Sequence, residues 1–181
     1  VAGNQYTGGL AGYTAGRISN CHSKVTVTGA AKTGGLIGAN DGGVITRCYS
    51  TGDVTAYYNY DYRNQAGGLL GENTGGGEIR ECYSTADVNG YAEVGGLAGS
   101  QSSGIIINCY ARGIINSHAE SLDYNQAGGL LGLNEGTGAV AYCYSSGKVY
   151  TGYICGGLIG YNTSTGDITA SFYDTTTSGM D

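Results

Sequence analysis

The sequence predicts an all-β fold: a parallel β-solenoid (β-helix) of about six coils, right-handed, with short and long coils alternating. Three observations predict it. Gly-Gly-Leu occurs six times, its first glycine at Gly8, Gly34, Gly67, Gly95, Gly128 and Gly156, spaced 26, 33, 28, 33 and 28. Cysteine follows the same beat at Cys21, Cys48, Cys82, Cys109 and Cys143, spaced 27, 34, 27 and 34, so the true repeat is a 61-residue pair of coils. Between these marks lie short runs of β-branched residues bounded by Gly, Asn, Ser and Thr, which read as strands. No window carries the i, i+3, i+4, i+7 apolar spacing of a helix, and 36 glycines in 181 residues would destabilise one. The repeat is too short for a four-stranded propeller blade. It suits one coil of a solenoid, which buries its apolar residues only by stacking on its neighbours. Six coils at about 4.8 Å each give a column roughly 29 Å long, and right-handed crossover is the rule for parallel strands.

Each element of the coil has its own reason. In Gly-Gly-Leu-x-Gly the x position is apolar throughout (Ala11, Ile37, Leu70, Ala98, Leu131, Ile159), which predicts aliphatic ladders as the hydrophobic drive. The paired glycines fit a corner that needs either positive φ or close backbone approach. An Asn or Gln follows in five coils (Asn40, Asn73, Gln101, Asn134, Asn162). It is expected at an inward turn, its amide bonded to backbone and to the next coil. An aliphatic residue precedes each Cys by three (Ile18, Ile45, Ile79, Ile106, Val140), a ring follows it (His22, Tyr49, Tyr83, Tyr110, Tyr144), and a second aliphatic comes six after it (Val27, Val54, Val88, Ile115, Val149). The sixth coil keeps this frame as Ile168, Ser171 and Phe172, with Ser in place of Cys. The five columnar cysteines are expected to form a buried thiol ladder of small hydrophobes. Cys155 stands outside it, where other coils have Thr7, Thr33, Ala66, Val94 or Ala127. A Cys143–Cys155 disulfide across one coil is one candidate pairing.

Composition narrows the function. The absence of proline and of Gly at every third position excludes collagen, and 40% apolar residues exclude a disordered chain. A net charge of −6 with scattered bases argues against nucleic acid, and no apolar stretch has membrane-spanning length. The size suits a single domain over residues 1–181. A start at Val1 without a signal peptide reads as a mature or excised segment of a longer chain.

Several residues resemble a known family. Gly-Gly-Leu-x-Gly, a Gly-rich spacer and then Cys-Tyr-Ser-Thr-Gly-Asp-Val (Cys48 to Val54, and Cys82 to Val88 with Ala86 for Gly) resemble the GLUG repeat, and Ser171–Gly179 resembles the segment that closes such arrays. The departures are His22 for Tyr and Ser171 for Cys, in the outer coils. GLUG-repeat proteins are typically secreted or surface-anchored in bacteria and archaea. They include filamentous-haemagglutinin-like adhesins and non-catalytic regions of immunoglobulin-A-cleaving metalloproteases. The resemblance implies an extracellular or cell-surface spacer, adhesin or assembly module with no cofactor, and carries over no catalytic residue.

The search for chemistry agrees in outline. The two histidines, His22 and His118, start no HExxH motif, and columnar cysteines do not make a single activated nucleophile. Asp53 and Asp87, each five after a Cys, stack on adjacent coils as paired acids of a polysaccharide enzyme or, more simply, as turn-forming residues. Threonine columns for ice binding are too mixed. The long coils carry six extra residues near 57–62 and 118–124. Insertions on one face of a solenoid often mark its binding face. Tyr57, Tyr58, Tyr60, Asp61, Tyr62, Asp123 and Tyr124 are therefore the candidate binding residues, either for a glycan or protein partner or as mere cover for the core. Two functions compete: a self-associating structural module, stacking head to tail or laterally, and an adhesin using the Tyr-rich face. A polysaccharide-active enzyme is a remote third.

Overall fold

The computed structural model describes residues 1–58, 63–118, 125–150 and 153–179. Each of the first five coils visits five short strands in a fixed order, the sixth visits the first four, and equivalent strands pair in parallel along the column. Sheet I holds Tyr6–Gly8, Lys32–Gly34, Gln65–Gly67, Glu93–Gly95, Gln126–Gly128 and Ile154–Gly156. Sheet II holds Ala11–Thr14, Ile37–Asp41, Leu70–Thr74, Ala98–Gln101, Leu131–Asn134 and Ile159–Asn162. Sheet III runs from Arg17–Ser19 to Ile168–Thr169, and sheet IV from His22–Ser23 to Phe172–Tyr173. Sheet V, from Val27–Gly29 to Val149–Tyr150, has five strands. The register follows the sequence columns without a slip: Gly34 pairs with Gly8 and Gly67, Gly95 with Gly67 and Gly128, and Gly128 with Gly156. The fold is thus the parallel β-solenoid expected.

The interior has two apolar compartments. One holds the Gly-Gly-Leu leucines (Leu36, Leu69, Leu97, Leu130) with the sheet II and III aliphatics and the cysteine column. The other holds Val54, Val88, Ile115 and Val149 of sheet V against Ala66, Val94 and Ala127 of sheet I. Between them, the second glycine of a pair faces a sheet IV side chain: a Cβ on Gly35, Gly68 or Gly129 would lie 2.1 Å from the hydroxyl of Ser50, Ser84 or Ser145. The glycine pairs therefore answer to close approach, and none of them has positive φ.

Among non-glycine residues positive φ falls instead on the residue before each columnar Cys and before Ser171: Asn20, Arg47, Glu81, Asn108, Tyr142 and Ala170, with φ between 45° and 56°. This left-handed turn joins sheets III and IV. It costs a non-glycine residue about 1–2 kcal/mol, and inter-coil bonds hold it. The N–H of each turn residue from Asn20 to Tyr142 donates to a carbonyl one coil on, at 3.0–3.1 Å. The next N–H, that of the cysteine, donates to the cysteine sulfur of the following coil: Cys21 to Cys48, Cys48 to Cys82 and Cys82 to Cys109, each 3.4 Å. The column is therefore more than a row of small hydrophobes; it also satisfies the turn. Ser171 does the same job in the sixth coil, accepting from Cys143 N at 3.1 Å and donating to Thr169 O at 2.9 Å, which explains why Ser replaces Cys there.

Candidate functional site

The predicted ladder residues stack as expected. Asn40 donates to Asn73 at 2.8 Å, Asn73 to Gln101 at 2.9 Å, Gln101 to Asn134 at 3.2 Å and Asn134 to Asn162 at 2.9 Å. Asn40, Asn73 and Asn134 each also donate to a carbonyl of their own turn, Gly43, Gly77 and Gly138. Outside the core, His22, Tyr49, Tyr83 and Tyr110 form a continuous stack with centroids 4.8 Å apart and planes within 4°.

The cysteines hold no disulfide. The Cys143–Cys155 pairing is corrected for a physical reason. Cys143 lies in the compartment behind sheets II to IV. Cys155 pairs with Ala127 in sheet I, on the row that borders the other compartment. Burial pushes the Cys109 thiol well above the ordinary range, and its neighbours Cys143 and Cys82 push the same way. Asp53 and Asp87 do stand on adjacent coils, because Val54 pairs with Val88. Asp87 serves the turn, its carboxylate accepting from Ile114 N at 2.7 Å.

On the Tyr-rich face, Tyr57 is 58% exposed and Tyr58 is 38% exposed. The Tyr58 ring lies 5.6 Å from Tyr91, and Tyr91 lies 5.3 Å from His118, so rings of adjacent coils form a row. Tyr60, Asp61, Tyr62, Asp123 and Tyr124 lie outside the described residues. The shared Asn-Gln-Ala motif after each insertion has a clear task. Buried Asn64 donates to the carbonyls of Ala30 and Tyr57, and buried Asn125 donates to Tyr91 O and accepts from Ser117 Oγ. Each clamps the base of a long coil.

Sequence reasoning missed a polar corner where sheets I and II meet. It is possible because the last glycine of Gly-Gly-Leu-x-Gly lets sheet II lie against sheet I: a Cβ on Gly71 would sit 2.5 Å from Thr33 N, and one on Gly99 2.6 Å from Ala66 N. Along the corner, Gln65, Glu93 and Gln126 are in register on sheet I, and all three are buried. Lys32 pairs with Glu72 across the corner. Arg63 lies 3.3 Å from Glu93 and 3.9 Å from Glu135. Burial pushes the Glu93 carboxyl above the usual range, offset in part by Arg63, Gln65 and Ser100. The available signal was weak: polar residues two before Gly-Gly in consecutive coils, of mixed type.

Five segments, 3–28, 29–55, 62–89, 90–116 and 123–150, match the GLUG motif and together make up well over half of the chain. The chain belongs to the GLUG-motif family. Each GLUG match spans one coil from sheet I to sheet V, and the gaps between matches hold the long-coil insertions. The sixth coil, beyond the last GLUG match, still pairs in register through Ile159, Ile168 and Phe172. No curated protein and no solved structure matches the chain.

Proposed function

We propose that this GLUG-repeat module is a non-catalytic structural and assembly element of an extracellular or cell-surface protein, associating with itself by coil-on-coil stacking. The amide ladder carries the reading. Every amide from Asn40 to Asn134 donates in the same direction, to the oxygen of the following coil. Such a column is polar and repeats by translation, which favours head-to-tail addition over closed pairs. Most residues with reactive potential, the cysteines and the amides, are already engaged with their counterparts along the axis. The extracellular placement rests on the resemblance to secreted and surface-anchored GLUG proteins. The test is electron microscopy with light scattering over a concentration series of the purified chain. Unbranched filaments or axial oligomers are expected. A monomer at every concentration overturns self-association.

A second reading, an adhesin working through the Tyr-rich face, is favoured by the exposed Tyr57 and the ring row Tyr58, Tyr91 and His118. Tyrosine offers apolar area and a hydroxyl at low entropic cost, which suits contacts with protein or glycan. Beads coated with the chain should attach to mucin-coated glass, and Tyr57→Ser with Tyr58→Ser should abolish attachment without changing the far-UV circular dichroism. Attachment unchanged by the substitutions, or absent in the parent, rejects this reading.

A further inference from the structure

We infer that the corner between sheets I and II is a saccharide-binding cleft, which takes a short chain of neutral hexose units along the axis, one unit with its face against Tyr6 and another, two coils on, with its hydroxyls at Gln65. The inference rests on neither reading above.

Four observations carry it. First, there is room: a cavity of about 330 Å³ opens at the corner, lined by Tyr6, Lys32, Arg63, Gln65, Glu72 and Glu135 among others. That lies within the range of small-molecule sites, ~300–1,000 Å³. Second, its polar wall leaves particular acceptor atoms unmatched. Gln65 Oε1, Glu93 Oε2 and Gln126 Oε1 are buried and have no hydrogen-bond partner among the described residues. The side chain of Glu93 is 2% exposed. Buried polar groups are almost always satisfied; interior hydroxyls such as Ser50 and Thr33 are unmatched too, but Gln65 is the unmatched acceptor that borders a cavity, and there it can receive a donor. Gln65 itself lines the cavity, and Glu93 stands beside it in the next coil.

Third, most of the charge is already paired, two bases facing three carboxylates. Lys32 pairs with Glu72, and Arg63 reaches both Glu93 and Glu135. An anion meets these carboxylates, and a divalent cation at Glu93 meets the Arg63 guanidinium 3.3 Å away. What the wall accepts is a neutral molecule rich in O–H groups. Fourth, the exposed ring of Tyr6 forms part of the lining; Lys32 Nζ sits over it at 5.3 Å from the centroid, and its exposed part offers apolar area for the C–H face of a sugar. Because the acceptors repeat once per coil at about 4.8 Å, close to the length of one hexose unit, the cleft favours a chain of sugars lying along the axis over an isolated monosaccharide.

The test is calorimetric titration of the intact chain with four neutral hexasaccharides, malto-, cello-, manno- and chitohexaose. At least one should bind, and Tyr6→Ala and Gln65→Leu should each weaken it at least tenfold, while Tyr57→Ser with Tyr58→Ser leaves it unchanged. Amide chemical-shift changes should map to sheets I and II. Tyr6 is exposed, so its variant keeps the test available if Gln65→Leu does not fold. Absence of binding by all four up to roughly 10 mM overturns the inference. Binding insensitive to Tyr6→Ala also overturns it, as does preference for calcium or an acidic oligosaccharide over all four.

Discussion

Replacing Asn73 by Ala tests whether the amide ladder holds the coils together. Asn73 accepts from Asn40 and donates to both Gly77 O and Gln101 Oε1, at 2.8–3.0 Å, and it is fully buried. Removing it deletes three bonds worth about 0.5–1.5 kcal/mol each and leaves Gln101 Oε1 buried without its donor, so the expected loss is about 3–5 kcal/mol. Gly77 O keeps a partner in Ile105 N, and Asn40 keeps Gly43 O, which sets the upper bound. Asn162 is the control. It accepts a single ladder bond from Asn134 and is exposed, so Asn162→Ala should cost only about 1 kcal/mol. Asn73→Gln should recover most of the loss, because Gln101 already occupies the same column. Urea unfolding followed by far-UV circular dichroism reads all three. If Asn73→Ala and Asn162→Ala differ by less than roughly 0.5 kcal/mol, or Gln is no better than Ala, the ladder does not carry the cohesion assigned to it.

Three further outcomes are expected. In the native protein, iodoacetamide should label Cys155 first and Cys21 more slowly, leaving buried Cys48, Cys82, Cys109 and Cys143 intact until urea is added; mass spectrometry of peptides reads this, and rapid labelling of Cys109 would contradict it. Glu93 is raised in the folded state by burial. Its stabilising contribution is therefore full below the ordinary glutamate range near ~4.3 and declines as pH rises through the raised value. Glu93→Gln, which matches Gln65 and Gln126 in the column, should accordingly raise the urea midpoint at neutral pH and leave it unchanged in acid, whereas a loss at neutral pH would show that the Arg63 pairing outweighs burial. Finally, Gly71→Ala places a methyl against the backbone of Thr33 and Gly38 and should prevent folding of the column. Gly76→Ala meets nothing within 4 Å and faces only its φ of 80°, costing about 1–2 kcal/mol by thermal unfolding.

The columns were legible in the sequence because stacking forces like to lie on like. A buried position such as Ile45, Ile79 and Ile106 has one shape to fill in every coil, so the repeat is printed in residue identity. Asn40 to Asn162 and the Cys column are readable for the same reason. The left-handed turn before each Cys was not readable, because its residues, Asn20, Arg47, Glu81, Asn108, Tyr142 and Ala170, share a backbone conformation and no side-chain chemistry. Only Asn among them has a marked preference for that region, and the inter-coil bonds impose it on the rest. The role of Cys as a hydrogen-bond acceptor was hidden likewise: its burial predicts a hydrophobe, and only the register places its sulfur opposite the N–H of the preceding coil. The division into two compartments depends on which way the chain bends at each glycine pair, which no spacing records.

The polar corner follows a different logic from every other column. Exposed positions vary because water accepts any polar residue, as at Lys24, Thr51, Thr85 and Arg112. Core positions repeat because neighbours must fit. The row Lys32, Gln65, Glu93 and Gln126, facing Glu72 and Ser100, is largely buried and yet mixed and charged. A repeating scaffold gains nothing by such a row for its own cohesion. Aliphatic residues there would extend the core, and a uniform amide would make a second ladder like that of Asn73. Burying Glu93 with one oxygen unmatched costs on the order of 1–3 kcal/mol, a cost that stacking does not require. Departures from local consistency of this kind belong where a protein meets something other than itself. The aliphatic, cysteine and amide columns are explained by coil touching coil; the corner between sheets I and II is the largely buried row whose charged, mixed composition calls for an outside partner.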